Sequence, residues 1–281
     1  MKIRIVTDGA VDVPLVWAKE FDIKIVPINI HFGEKTFLQN VDMDSDAFYK
    51  EIGSNKNHPK TSQPSPHQFV EYYRNNYTKG ETILSIHVTS KLSGTYASCV
   101  AAAEELKGEY NITPFDSLGG TMATAFMCRT ARKMADNGKS VGEIVKHLET
   151  MREKAHVILT LETLEFAKRS GRVGTLSAAL ASVLNVKPIA VLKDGLIHMV
   201  EKVRTRKAAL ARVIEMGKEA VGNQPVAIGV VHARDLESGR FLLEEAKKNL
   251  NVKESELTDL SVSLAINFGP GTVGLVIYPV E

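Results

Sequence analysis

Apolar runs of strand length and stripes of helical period alternate along this chain from its start. "KIRIVTD" is β-branched and strand-like. Pro14 opens a short helix in "PLVWAKEF", and "IKIVPINIHF" reads as one strand. "DSDAFYKEI" predicts a helix capped by Asp44 or Ser45. The polar, proline-rich stretch 53–66 predicts a loop, after which Ser65 and Pro66 start "PHQFVEYYRNNY" as a helix. "ETILSI" is a strand and "ASCVAAAEEL" a helix; "NITPFD" is the next strand. "SLGGTMATAFMCRTARKMADNG" follows as a helix closed by Gly138, then "SVGEIVKHLETMREKA" as another. Strand–helix alternation of this kind implies a mainly parallel sheet with helices on both faces. In such sheets ligands bind beyond the carboxyl ends of the strands.

The pattern changes in the second half. "HVILTL" is a strand, and "LEFAKRSGRVG" is a helix running into a basic glycine turn. "TLSAALASVLN" predicts an apolar helix rich in small residues. "KPIAVLKDGLIHMVEKV" predicts a hairpin turning at Asp194-Gly195. A helix ("TRKAALARVIEMGKEAV"), a strand ("PVAIGVVHA"), a helix ("LESGRFLLEEAKKNL") and two final strands complete the chain. The expected fold class is α/β, with two α/β domains. Residues 1–153 carry a mainly parallel sheet; residues 154–281 carry a mixed sheet and helices.

Composition narrows the function. The 281 residues are 44% hydrophobic and 24% charged with a formal net charge of +2, too near neutral to argue for nucleic acid or a membrane surface. No signal-peptide pattern opens the sequence, so a cytoplasmic protein is expected. The charge-free stretch 261–280 is long enough to span a membrane, but Asn267, Gly269, Pro270, Gly271 and Gly274 interrupt it; two strands around a turn are expected, without membrane insertion. Cys99 and Cys128 lack metal or redox spacing and read as buried inert thiols.

The candidate chemistry lies in four similar segments: "TDGAVDVP" (7–14), "TSQPS" (61–65), "HVTSKLSGTY" (87–96) and "FDSLGGTM" (115–122). Each is a polar segment that follows a strand or opens a helix. Ser93, Gly94 and Thr95 stand where free helix N–H groups and the positive dipole end can receive a carboxylate or phosphate. Ser93 serving only as a helix cap is the competing reading. Thr61 and Ser62 sit on a proline-bounded loop with the same two readings. Lys168, Arg169 and Arg172 surround a glycine turn suited to carboxylate recognition, or are a solvated helix end. "EKVRTRK" (201–207) is a second basic cluster: a partner patch, a phosphate contact or a solvated surface. "GPGTVG" (269–274) formally matches a dinucleotide fingerprint, but the helix and further strand it needs do not follow. No Walker A, metalloprotease or nucleophile-elbow motif is present, and the eight histidines show no metal-ligand spacing. His87 reads as a satisfied core histidine. Asp8, Asp12 and Asp116 form a carboxylate pair or brace their loops.

At these residues the chain resembles the DegV family, bacterial fatty-acid-binding proteins that act as the lipid-carrier subunit of fatty acid kinase. The resemblance rests on "IVTDGAVDVP", "TSQPSP", "SKLSGTYAS", "FDSLGGTMA", "KRSGRVGTLSAAL", "NVKPI", "EKVRTRKAA" and "GPGTVG", in that order. It implies a long-chain fatty acid held between two α/β domains, its carboxylate at the hydroxyl-rich site. Thr61, Ser62, Ser93, Gly94, Arg172 and Asn267 would bind the ligand. A separate ATP-using kinase subunit would phosphorylate the carboxylate, with Arg204, Arg206 and Lys207 facing that partner. No cofactor and no catalysis by this chain are implied. Two positions depart from the family pattern: Gly9 stands for a usual serine, and Asn267 for a usual histidine near the carboxylate. Asparagine keeps a donor but carries no charge. Two rival readings stand beside this one: an enzyme on a small phosphorylated or carboxylated substrate with Asp8 and Asp116 as acid and base, and a regulatory interaction protein binding through "RTRK".

Overall fold

A computed structural model describes residues 2–54, 58–172 and 186–280. Its contacts divide the chain into two units, Met1–Arg152 and Glu153–Glu281. Unit one runs in chain order β1 (Ile3–Asp8), α1 (Leu15–Glu20), β2 (Ile23–Val26), β3 (Asn29–Phe32), β4 (Lys35–Leu38), α2 (Ser45–Ser54), β5 (Lys60–Ser62) and α3 (Pro66–Asn76). It continues through β6 (Thr82–His87), α4 (Thr95–Glu105), β7 (Asn111–Asp116), α5 (Thr121–Asp136) and α6 (Val141–Lys154). Strands β2-β1-β6-β7 form a four-stranded parallel sheet, as the alternation predicts.

The register decides where the chemistry goes. Val6 lies beside Ser85, so Asp8 arrives level with His87, and His87 pairs with Asp116. All three therefore end their strands on one edge. On the face covered by α3 and α4, Val6, Phe69, Tyr73, Ile83, Cys99 and Leu106 pack into one core. Strand alternation puts Ser85 and His87 on that same face as Ile83.

Two expectations fail in unit one, each for a local reason, and a third is decided between its two alternatives. The single strand expected over 23–32 is two, in different sheets. Pro27 cannot donate to a ladder, and the chain leaves the parallel sheet there. Beyond it β3 pairs antiparallel with β4 and β5 as a small second sheet. The loop expected over 53–66 thus contains β5, three residues too short to show a period. Of the two caps offered for α2, Asp44 Oδ1 accepts the Ala47 N–H at 2.8 Å.

Unit two runs β8 (His156–Thr160), α7 (Glu165–Ser170), β9 (Lys187–Lys193), β10 (Leu196–Val203), α8 (Arg206–Val221), β11 (Pro225–His232), α9 (Leu236–Asn249), β12 (Asn251–Asp259), α10 (Val262–Phe268) and β13 (Val273–Pro279). Its six-stranded sheet, β10-β9-β8-β13-β11-β12, is mixed: β11 and β12 pair in parallel and the other neighbours antiparallel. The expected hairpin is β9–β10. Asp194 and Gly195 both take positive φ, 51° and 77°, as a two-residue type I′ turn requires. Two features differ from expectation. The stretch 261–280 is a helix and a strand, because a short apolar run carries no decisive period. Strand β12 was not expected at all: it is a largely exposed edge whose Lys253 and Glu254 mask its strand character. The helix expected over 175–185 lies outside the described residues.

Candidate functional site: an open helix start on a laced strand edge

The four polar segments of unit one meet. Asp8 Oδ2 accepts the Val88 N–H at 3.0 Å and bonds His87 Nδ1 at 2.9 Å, while its Oδ1 accepts the Ala10 N–H at 2.9 Å. The Thr89 N–H donates to the Gly119 carbonyl and the Thr121 N–H to the Ala10 carbonyl. The Thr121 hydroxyl also donates to Asp12. Asp116 Oδ1 accepts N–H groups from both Ser90 and Leu118, at 3.1 Å each. Asp8 and Asp116 brace loops, which accounts for them without an acid–base role. Leu118 and Thr121 hold positive φ, 46° and 50°. A β-branched residue adopts that conformation only where its surroundings impose it.

The fourth segment joins through Gly94. A side chain at this position would meet the Gln63 amide, whose Nε2 lies 2.8 Å from the place a Cβ would occupy. Glycine lets "TSQPS" lie against the start of α4.

The helix starts are not alike. Helix α3 is closed by a capping box: Ser65 Oγ accepts the Gln68 N–H at 3.1 Å, and Gln68 Oε1 accepts the Ser65 N–H at 2.8 Å. Helix α4 has Gly94 at its cap and no side-chain cap bond. Ser93 is therefore not the N-cap that the competing reading required. Its Oγ accepts the Thr95 N–H at 3.3 Å and lies 2.8 Å from Thr95 Oγ1. Either hydroxyl can donate in that bond, and the O–H of the one that accepts is left to donate outward. Helix α5, capped by Gly120, also starts without a side-chain bond.

Thr61 and Ser62, adjacent on β5, point to opposite faces of the small sheet. Ser62 pairs with Asn29. Its hydroxyl lies 2.8 Å from His31 Nε2 and 3.4 Å from Asn29 Nδ2, so it is committed to the sheet. Thr61 pairs with Ile30, and among the described residues its hydroxyl has no hydrogen-bond partner. The sequence reading treated the two alike; the alternation separates them. His31 was not singled out, and only the β3–β5 pairing reveals it.

Beneath the edge runs a buried polar chain that the sequence showed only as a single core histidine. His87 Nε2 lies 2.8 Å from Ser85 Oγ, which lies 2.8 Å from Tyr73 Oη, itself 3.2 Å from Cys99 Sγ. Burial alone would push the His87 imidazole down. The Cys99 thiol and the Asp8 carboxylate outweigh it and raise the imidazole to about 10. Burial raises Cys99 in turn, but His87 beside it brings the thiol below its ordinary value. Cys99 is thus a bonded partner and not an inert thiol; Cys128, pushed up to about 12 by burial, fits that expectation.

In unit two, Arg172 turns its guanidinium back on the end of α7, donating to the Ser170 carbonyl at 2.6 Å. Asn267 donates to the Ser263 carbonyl of its own helix at 2.9 Å. Arg206 binds inward, to Asp235 Oδ2 at 2.6 Å and the Gly271 carbonyl at 2.7 Å, while Arg204 and Lys207 are exposed. The "GPGTVG" turn leads from α10 into β13, so its glycines do not open a helix. Among the described residues, no group of three or more His, Cys, Asp or Glu side chains can hold a metal ion, and no helix is long and apolar enough to cross a membrane.

Against known proteins, the model of the family described as "Uncharacterised protein, DegV family" matches residues 2–280. The chain belongs to the DegV family. A DegV domain-containing protein of Halalkalibacterium halodurans is 31% identical over 279 residues, 99% of this chain and 98% of that one. A DegV family protein from Thermus thermophilus, whose structure concerns fatty acid binding, superposes with a TM-score of 0.89 at 27% identity, covering 100% of both chains. DegV of Bacillus subtilis, a fatty acid binding protein, gives a TM-score of 0.85 at 28% identity, again over 100% of both. Gly9 and Asn267, the two positions singled out in the sequence, each have a local structural setting. Gly9 leaves room for Gln39, whose Nε2 lies 3.0 Å from where a Cβ would stand and donates to the Gly9 carbonyl at 2.8 Å. Asn267 has its amide donor engaged within its own helix.

Proposed function

We propose that this chain is a fatty-acid-binding carrier whose carboxylate site is the open start of α4. The carrying observation is that α4 starts from Gly94, with no side-chain bond from its cap, beside the paired Ser93 and Thr95 hydroxyls, of which one O–H is left to donate outward. Free helix N–H groups, the dipole and an outward hydroxyl suit a carboxylate. Gln63 against Gly94 brings the Thr61 segment alongside, so Thr61 supplies a second donor while Ser62 supports it from behind. Each buried methylene is worth about 0.8 kcal/mol, so a tail of roughly fifteen yields about 12 kcal/mol gross before association costs. The tail supplies affinity and the head-group site fixes orientation. Family relatives that bind fatty acid support the same assignment.

The carrier presents the held carboxylate to a separate ATP-using kinase subunit and has no catalysis of its own. Exposed Arg204 and Lys207 are the basic residues available to that partner; Arg206 holds the turn behind them. To test binding, the purified protein is denatured and its organic extract analysed by mass spectrometry. About one long-chain fatty acid per chain is expected. No fatty acid in the extract, and none taken up on addition, would sink the assignment.

A further inference from the structure

The chain Asp8–His87–Ser85–Tyr73–Cys99 has no assigned task, yet it joins the elements that carry the head-group segments. Asp8 ends β1, Ser85 and His87 lie on β6, Tyr73 lies on the helix that follows "TSQPS", and Cys99 lies one turn into the helix that Gly94 opens. Each link is a hydrogen bond of 2.8–3.2 Å, and Asp8, Ser85, His87, Tyr73 and Cys99 are fully buried.

The donors close in one direction. Cys99 S–H donates to Tyr73, Tyr73 O–H to Ser85, Ser85 O–H to His87 Nε2, and His87 Nδ1–H to Asp8. Moving the thiol proton to the imidazole reverses the three hydroxyl and thiol links and leaves every donor satisfied. The raised His87 and lowered Cys99 favour the second arrangement. In both, Asp8 keeps its bonds to the Ala10 and Val88 N–H groups, which set the loops beyond β1 and β6. A fully satisfied buried network specifies one arrangement of the elements it links, because any slip strands a polar group in a dry core. The Phe69 ring lies edge-on to His87, with centroids 5.2 Å apart, and closes the network's side.

We propose that this buried chain is the positioning spine of the carboxylate site, holding α3 and α4 in the one register that brings Thr61 and Ser93 to the same anion. It rests on the head-group reading above. Tyr73 and Cys99 are positioning residues: neither touches the ligand, and each acts through the helix it anchors.

The test compares stearate with the alcohol of the same chain length, which keeps the tail and lacks the charge. Tyr73→Phe removes the middle link and little volume. Its affinity for stearate is expected to fall about tenfold, the scale of one lost hydrogen bond to a charged group, and its affinity for the alcohol to stay within about twofold. Cys99→Ala should show the same split more weakly, and Cys99→Ser, which restores a donor and acceptor, should recover most of it. Equal losses for both ligands would mean a structural role only and overturn the proposal, as would no loss for either. If Tyr73→Phe does not fold, the Cys99→Ala and Cys99→Ser pair decides by the same criterion. Wild-type protein binding neither ligand would instead defeat the head-group reading itself, and the spine with it.

Discussion

Two helices of unit one begin with nearly the same chemistry and end up with opposite states. Helix α3 follows "SQPS" and α4 follows "KLSG", each with a serine before its first turn. At α3, Ser65 and Gln68 bond each other's backbone N–H groups and seal the start. At α4 the corresponding cap is Gly94, and Ser93 stands one residue further out, its Oγ accepting the Thr95 N–H and bonded to the Thr95 hydroxyl. A hydroxyl at the cap closes a helix; with glycine at the cap and the hydroxyl one position earlier, the start carries no cap bond, which is where the proposed carboxylate site lies.

The comparison can be broken in three places. The largest effect falls on both helices at once, through the imidazole whose bond to Ser85 continues to Tyr73 of α3 and Cys99 of α4. Raised from 6.5 to about 10 by Cys99 and Asp8, His87 contributes stability that is complete below pH 6.5 and is lost as pH rises through about 10. A melting temperature that falls across that window, and a flatter profile in His87→Gln, are expected. A wild-type profile that is flat there would remove the charged imidazole from the account.

Next is the open start itself. Ser93→Ala should lower fatty acid affinity by tenfold or more, since a hydrogen bond to a charged group is worth about 1.5–3 kcal/mol, and should leave the denaturation midpoint nearly unchanged. The smallest effect is the mirror case. Ser65→Ala should destabilise by about 1 kcal/mol in urea titration and leave binding alone. If Ser65→Ala weakened binding as much as Ser93→Ala, the distinction between a sealed and an open start would collapse.

Much of this was legible in the sequence, and the misses have physical causes. The parallel sheet, the Asp194-Gly195 hairpin and the Ser65-Pro66 helix start follow from local period and turn chemistry. Capping was a real alternative for Ser93 because position within one residue decides it, and no pattern fixes a cap so finely. Ser62 and His31 were out of reach for a different reason. Their bond is a long-range pairing across a sheet whose strands are only three or four residues long. Tyr73, Ser85 and Cys99 sit on stripes that read as ordinary core; only the packing of α3 and α4 on β6 joins them into a chain. Strand β12 was hidden by its own charges.

The most direct test is a crystal structure of the protein grown with stearate. Density for a carboxylate within hydrogen-bond distance of Ser93 Oγ, at the start of α4, is the predicted result. A bound acyl chain whose carboxylate lies away from that helix start would contradict the account.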